Sequence, residues 1–414
     1  MKISSFDLNI TPPVGCELAG YGPGQESWEI HDDLFLTGLL MDDGQRKAAL
    51  LGFDLIGMDA CLVGKIRRGC AEVLGTEESF IILSCTHTHE GPHTRSNYRS
   101  DLLQPYCDEL VAKTIAACAE AAKKEWLETD VYFYSAAARA NTNRRYCGPE
   151  NVCRSLPGYR SLEPLSDGVV DPEVGMLFFR DVKTRLPVEV VINYAAHPLA
   201  AHSMGRGSHF ISADYPGMIR KLINEAVGAH CVFVTGAAGD QFPIDSEIGP
   251  QNLDTIAKPV VREVTRGVCE AFRKPAKFKL ADPQLKSAIV PFEVLPRAEF
   301  PVEKRRRNFR DCSVWKMELQ LLAVGDICFV GVPGELLAEV GLEIKWHSPF
   351  RRAYVLYNST DYVSYICHAN AIVAGGYEAS MQQVEYKAGL KLVQAAVDAM
   401  FEMHGSKIEM PPYP

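Results

Sequence analysis

Phe80-Ile81-Ile82-Leu83-Ser84-Cys85-Thr86-His87-Thr88-His89-Glu90-Gly91-Pro92-His93 is the stretch on which the reading of this chain turns. Its first four residues are an apolar run of the kind that makes a short buried strand. The run stops at a polar segment that turns at Gly91-Pro92. Two histidines two residues apart in extended backbone point to one side. A strand end that delivers two imidazoles to one spot is a start for a metal site. Zinc takes neutral imidazole, and a catalytic zinc keeps one position open. A solvated polar loop is the plain alternative. Against it, six of the 11 histidines fall between residues 87 and 209.

Working outward, a strand is expected over Lys47 to Ile56, after the turn Asp42-Asp43-Gly44. Residues 59–74 carry Leu62, Ile66 and Val73 on one helical face, and Asp101 to Lys124 reads as a long amphipathic helix. Strands follow near 130–138, 174–180, 188–195 and 231–234. A helix starts at Asp214-Tyr215-Pro216, with proline in its first turn, and another spans 253–272. The second half predicts strands near 276–281, 286–293, 314–323 and 326–332, and helices at 335–346 and 379–402. The runs on either side of Gly325-Asp326 read as a hairpin. Strand–helix alternation followed by hairpins implies an α/β (α+β) fold, with mixed β-sheets flanked by helices. The proline-rich stretch 273–300 is taken as a loop-rich section within a single domain over 1–414.

A hydrophobic content of 47% is ample for a large core, and a net charge of -9 argues against a nucleic-acid partner. One basic run, Lys304-Arg305-Arg306-Arg307 with Arg310, reads as a solvated loop or a grip on an anionic substrate. No run reaches membrane-spanning length and the start lacks a signal-peptide pattern, so a cytoplasmic protein with a small-molecule substrate is expected. The 13 cysteines include no Cys-x-x-Cys pair and read mostly as small buried hydrophobes.

Two further apolar runs end in chemistry-bearing residues. Val188 to Ile192 leads to Asn193-Tyr194-Ala195-Ala196-His197-Pro198, with His202, His209 and Asp214 close behind. Ile327 to Val330 leads to Gly331-Val332-Pro333-Gly334-Glu335. A carboxylate behind a ligating histidine fixes its tautomer, and Asp54 or Asp214 is a candidate for that task. Asp361-Tyr362-Val363-Ser364-Tyr365 and Gly375-Gly376-Tyr377-Glu378-Ala379-Ser380 complete the set. The residues alone do not choose between Tyr362 and Tyr365.

Taken together, these elements resemble the catalytic domain of the neutral, non-lysosomal ceramidases. The match runs collinearly from Asp7-Leu8-Asn9-Ile10-Thr11-Pro12-Pro13 and Gly20-Tyr21-Gly22 to Tyr377-Glu378-Ala379-Ser380. Thr86-His87-Thr88-His89, followed by Gly91-Pro92, is its most specific part. The resemblance implies that His87, His197, Glu335 and Tyr365 ligate Zn2+, and that His89 faces the substrate. His93 is assigned to neither task. Arg144, within Asn141-Thr142-Asn143-Arg144-Arg145, would stabilise the negative charge of the attacked carbonyl. The family carries Gly-Asp-Val-Ser-Pro where this chain has Gly239-Asp240-Gln241-Phe242-Pro243, so serine chemistry at that place is excluded. The family's C-terminal immunoglobulin-like domain is not expected here.

The expectation is a zinc-dependent hydrolase in which metal-bound water attacks an amide, ester or lactone of a small polar substrate. Tyr365 or His89 would protonate the leaving group. The rivals are a ceramidase acting on N-acyl sphingoid lipids, a two-metal phosphoesterase and a non-catalytic small-molecule binder. The phosphoesterase would hold two metals on the three histidines of the first loop, His87, His89 and His93, with Asp54, Asp214 and Asp240, and would bind phosphate with Arg144, Arg145 and the 304–307 run.

Overall fold

Eight strands form the larger sheet: β1 (Lys2–Asn9), β2 (Phe35–Asp42), β3 (Lys47–Phe53), β4 (Ile81–Cys85), β5 (Leu127–Ala137), β6 (Glu173–Asp181), β7 (Pro187–Tyr194) and β8 (His230–Thr235). Their order is β8-β7-β6-β5-β1-β2-β3-β4. The smaller sheet runs β9-β10-β11-β12, from Leu285–Val294, Trp315–Val324, Ile327–Gly331 and Arg352–Leu356. The computed structural model describes residues 1–21, 24–94, 100–147, 153–155, 168–201, 209–244, 249–305 and 311–405. His202, Arg306, Arg307 and Arg310 lie outside the described residues.

The two sheets pack face to face between outer layers of helices. Alternation along the strands produces this arrangement, because successive side chains leave opposite faces. Met176 and Phe178 meet Tyr215, Ile219, Val260 and Val264 of helices α3 (Asp214–Val227) and α4 (Asp254–Arg273). Their neighbours Leu177 and Phe179 face the other way, with Leu322, Ile327 and Phe329 of the smaller sheet. At the other edge Leu51 and Leu83 lie under α1 (Ala60–Leu74) and α2 (Ser100–Lys123), while Leu50 and Ile82 join the inter-sheet layer. The far face of the smaller sheet, with Leu319, Leu321, Cys328 and Val330, is covered by α5 (Ala338–Trp346) and α6 (Ala388–His404). Strands buried on both faces read as continuous apolar runs, which is why 80–83 and 327–330 stand out in the sequence. Each fully buried Leu or Phe in these layers contributes about 1.5–3 kcal/mol.

Within these two sheets pairing is antiparallel except for three parallel couples: β3 with β4, β7 with β8, and β11 with β12. Parallel neighbours need a crossover, and α1, α3 and α5 supply one each. The three βαβ units bring six strand C-termini towards one region. Edge strands β4 and β8 meet there: Thr235 Oγ1 donates to the Thr86 carbonyl at 2.8 Å.

Several expectations change in detail. Residues 276–281 do not form a strand. Pro275–Phe278 is a short helix opened by its proline, and Lys279 makes a single bridge to Tyr132. The helix expected from 335 begins at Ala338, because Glu335–Leu336 pairs instead with Tyr365–Ile366. The helix expected over 379–402 is two, Tyr377–Met381 and Ala388–His404. Strands β1, β2 and β12 were not among those expected. The hairpin at Gly325 is present as β10 and β11. Of the cysteines, Cys70, Cys85, Cys118, Cys231, Cys328 and Cys367 are buried and free. Among the described residues no helix is long and apolar enough to cross a membrane.

Candidate metal centre

The three parallel pairs supply the centre. Beyond β4 the chain stays bonded to the segment that leaves β3: Thr86 N–H donates to Phe53 O and His87 N–H to Leu55 O. His87 has φ 73°, in the left-handed region that residues with a Cβ rarely adopt. The extended backbone expected here therefore ends before His87, and the two imidazoles do not meet through strand alternation. They meet through this turn, with His87 and His89 ring centroids 5.0 Å apart and nearly perpendicular. Such a local conformation persists where surrounding structure over-determines it.

His87 is buried. Its Nδ1–H donates to the Ile56 carbonyl at 2.6 Å, and its Nε2 lies 3.4 Å from Glu335 Oε2. His197 repeats the pattern from the end of β7. Its Nδ1–H donates to the Ala238 carbonyl at 2.6 Å, and its Nε2 lies 3.7 Å from the same Glu335 oxygen. That Nε2 is buried and makes no hydrogen bond. His89 is half-buried, and His87, His89 and His197 each offer a ring nitrogen within 4.8 Å of the others. Gly20, at φ 86°, makes room for His89, since a Cβ there would lie 2.2 Å from the ring.

Glu335 enters after β11. Gly334 precedes it because a Cβ at that position would come within 2.5 Å of Ser364 O, closing the approach between the 335–336 and 365–366 segments. Two phenols hold the carboxylate: Tyr362 OH donates to Oε1 at 2.6 Å and Tyr357 OH to Oε2 at 3.1 Å. Burial alone would raise its pKa. The neighbouring His87 with its hydrogen bond, the neighbouring His197 and the Tyr362 hydroxyl outweigh that, holding the carboxyl well below the usual range. Burial, then the neighbouring His87 and Arg144, pushes His197 well below an ordinary imidazole. The result is a neutral ring with a bare Nε2 facing a carboxylate. This donor set fits a zinc ion, which takes neutral imidazole and carboxylate.

Arg144 closes one side. Its Nε donates to Glu378 Oε1 at 2.5 Å and its Nη2 to Tyr365 OH at 2.9 Å. Its guanidinium lies 4.6 Å from the Phe242 ring centroid, and that ring makes an edge contact with His197. Phe242 therefore lies between Arg144 and His197 as an apolar wall. The geometry separates the two tyrosines: Tyr362 touches Glu335, and Tyr365 touches Arg144.

Asp54 and Asp214 stand elsewhere. Asp54 accepts from both terminal nitrogens of Arg220, from Phe35 N and from Thr86 Oγ1. Asp214, itself at φ 55°, accepts from Ala201 N and Tyr215 N, and burial pushes its carboxyl up to about 7. Backbone carbonyls of Ile56 and Ala238, not these carboxylates, fix the imidazole tautomers. Asp240 accepts from Asn143 Nδ2 and Ala338 N. His209 stacks on exposed Trp28, and Arg305 donates to Arg297 O. A cavity of about 610 Å³ is lined by Asp7, Asp32, Arg220 and His230, and by none of the centre's residues. Tyr357, Glu378 and Asn358, whose Nδ2 donates at 3.1 Å to the same Ile56 carbonyl that His87 uses, were not among the expected site residues. Tyr357 and Asn358 follow the apolar run Ala353-Tyr354-Val355-Leu356, a strand-end signal of the same kind as the others.

No protein-family model matches the sequence, and no curated protein matches it at a significant level. Solved structures do match in fold. The crystal structure of neutral ceramidase from Pseudomonas aeruginosa superposes with TM-score 0.76 at 17% identity, covering 100% of this chain and 76% of that one. A structure of ceramidase complexed with C2 gives TM-score 0.75 at 17% identity, with the same coverage of both chains. The fold of this chain is thus ceramidase-like along its whole length.

Proposed function

We propose that this protein is a zinc-dependent hydrolase that cleaves an amide, ester or lactone carbonyl bond in a small polar substrate. The observation that carries the reading is the buried Nε2 of His197, without a hydrogen bond, sharing the Glu335 carboxylate with His87. His87, His197 and Glu335 would hold the zinc, which would supply Lewis acidity and activate a water. The chain's own residues do the rest. Ile56 and Ala238 carbonyls keep protons on Nδ1, so Nε2 carries the lone pair in both histidines. Tyr357 and Tyr362 orient Glu335. Tyr365 is the fourth donor in this reading; burial raises its phenol well above the usual range, and the Arg144 charge works against that. His89, half-buried beside His87, bonds the reacting carbonyl oxygen and returns a proton to the leaving group. Arg144 stabilises the oxyanion.

The second reading, hydrolysis of N-acyl sphingoid lipids, is favoured by the ceramidase-like fold. The two-metal phosphoesterase has less support, since Asp54, Asp214 and Asp240 are bonded to Arg220, to backbone amides and to Asn143. The test is a mixed panel of N-acyl lipids and polar N-acyl, O-acyl and lactone compounds with zinc-loaded protein. Polar members are expected to turn over, chelation to abolish turnover and zinc to restore it. Turnover that survives both exhaustive chelation and His87→Ala would sink the proposal. Ceramide cleaved faster than every polar member would move the reading to the lipid.

A further inference from the structure

Glu378 is fully buried, and its two oxygens grip two different arginines. Arg144 Nε donates to Oε1 at 2.5 Å, and Arg145 Nη1 donates to Oε2 at 2.6 Å. A buried carboxylate persists only when it is paired and its oxygens are bonded. Arg145 is itself anchored to backbone: its Nη2 donates to the Ala371 and Gly375 carbonyls at 3.1 and 2.8 Å. The chain of restraint therefore runs from backbone to Arg145, to Glu378, to Arg144. Arg144 is further held by Tyr365 OH on Nη2 and by the Phe242 ring beneath its plane. Among the described residues, the hydrogen bonds of the Arg144 side chain use Nε and Nη2, which leaves the N–H donors of Nη1 for an incoming oxygen.

We propose that Glu378 is a positioning residue that aims Arg144 at a tetrahedral oxyanion seated against the His87–His197–Glu335 centre. The inference rests on the hydrolase reading for its catalytic meaning. The aim itself rests on the Arg145–Glu378–Arg144 geometry. Charge and position make opposite predictions here. Removing a negative charge next to Arg144 would by electrostatics alone tighten anion binding. Releasing Arg144 from its anchor would weaken it.

The experiment is a calorimetric titration of zinc-loaded protein with methylphosphonate, a tetrahedral oxyanion. Wild type is expected to bind. Glu378→Gln is expected to bind about 10-fold more weakly, the lower end of what loss of an orienting partner costs. Arg144→Ala is expected to bind as weakly as the double variant Arg144→Ala/Glu378→Gln. Glu378→Asp keeps the charge and withdraws it by one methylene, so it is expected to weaken binding too, and it carries the test if the glutamine variant does not fold. Binding by Glu378→Gln that is unchanged or tighter overturns the proposal. So do additive effects in the double variant, and so does absence of binding to wild type. With a substrate from the panel, kcat of Glu378→Gln should fall about 10-fold while KM holds. A panel without turnover defeats the hydrolase reading, and the phosphonate titration still reads the aim of Arg144.

Discussion

His197 and His230 are both substantially buried histidines near carboxylates, and the structure gives them opposite charge states. His230 spends both nitrogens on acids: Nε2 lies 3.0 Å from Asp7 and Nδ1 2.7 Å from Glu189. Burial alone would lower its pKa, but the Glu189 charge and the hydrogen bonds to Asp7 and Glu189 outweigh it and raise the pKa to about 10. His197 gives Nδ1 to a backbone carbonyl and keeps Nε2 bare at 3.7 Å from Glu335. Burial there outweighs the Glu335 charge and the Ala238 hydrogen bond, and the imidazole is held neutral. What separates a cationic histidine from a neutral one in this molecule is the group behind the ring. A carboxylate on each nitrogen makes an ion pair; a carbonyl on one leaves a lone pair on the other.

The largest test of that contrast is deletion. His197→Ala should lower turnover by about 10³-fold or more, the several kcal/mol expected of metal-supplied charge stabilisation. Its zinc content, read by elemental analysis, should fall with it. His230→Gln should keep both zinc and turnover per folded molecule. Equal losses in the two variants would erase the distinction.

Next comes zinc itself. At zinc one hundred times above its Kd, wild type and His230→Gln should each gain about 2.7 kcal/mol of unfolding free energy. His197→Ala should gain little in the same denaturant titration. A full gain in His197→Ala would mean that zinc stabilises the protein from another site.

The last effect is electrostatic and depends on pH. The pKa of His230 is raised on folding, so its contribution is fully present below the unfolded value and fades as pH rises through about 10. The stability difference between wild type and His230→Gln should be about 2–4 kcal/mol near pH 6 and shrink steadily above pH 7. A difference that grows towards alkaline pH would break the assignment.

Both histidines also show how far the sequence reaches. His197 stands just past an apolar run and before a proline, so its place at a strand end was legible. His230 opens β8, and nothing local distinguishes it; its partners lie 41 and 223 residues away. Strands buried on both faces announced β4, β7 and β11, whereas β1, with exposed residues interspersed, did not. The carboxylates expected behind the histidines are placed elsewhere for the same reason. Asp54 is the right residue type near the right loop, but Arg220 takes it, and backbone carbonyls do the orienting. Glu378 was quoted in the sequence without a role, because its meaning depends on Arg144 and Arg145, more than 230 residues earlier.

The sequence by itself determined the mixed α/β class and the strand ends that bear His87, His197 and Glu335. Buried strands and their exits are local patterns of apolar periodicity and turn residues, and such patterns survive in one dimension. The tertiary structure alone decided that those exits converge, that His87 turns through a left-handed φ, and that Tyr362 goes to Glu335 while Tyr365 goes to Arg144. Those outcomes depend on the crossover that makes each pair of strands parallel, and on which charge lies nearest each ring or carboxylate once water is excluded.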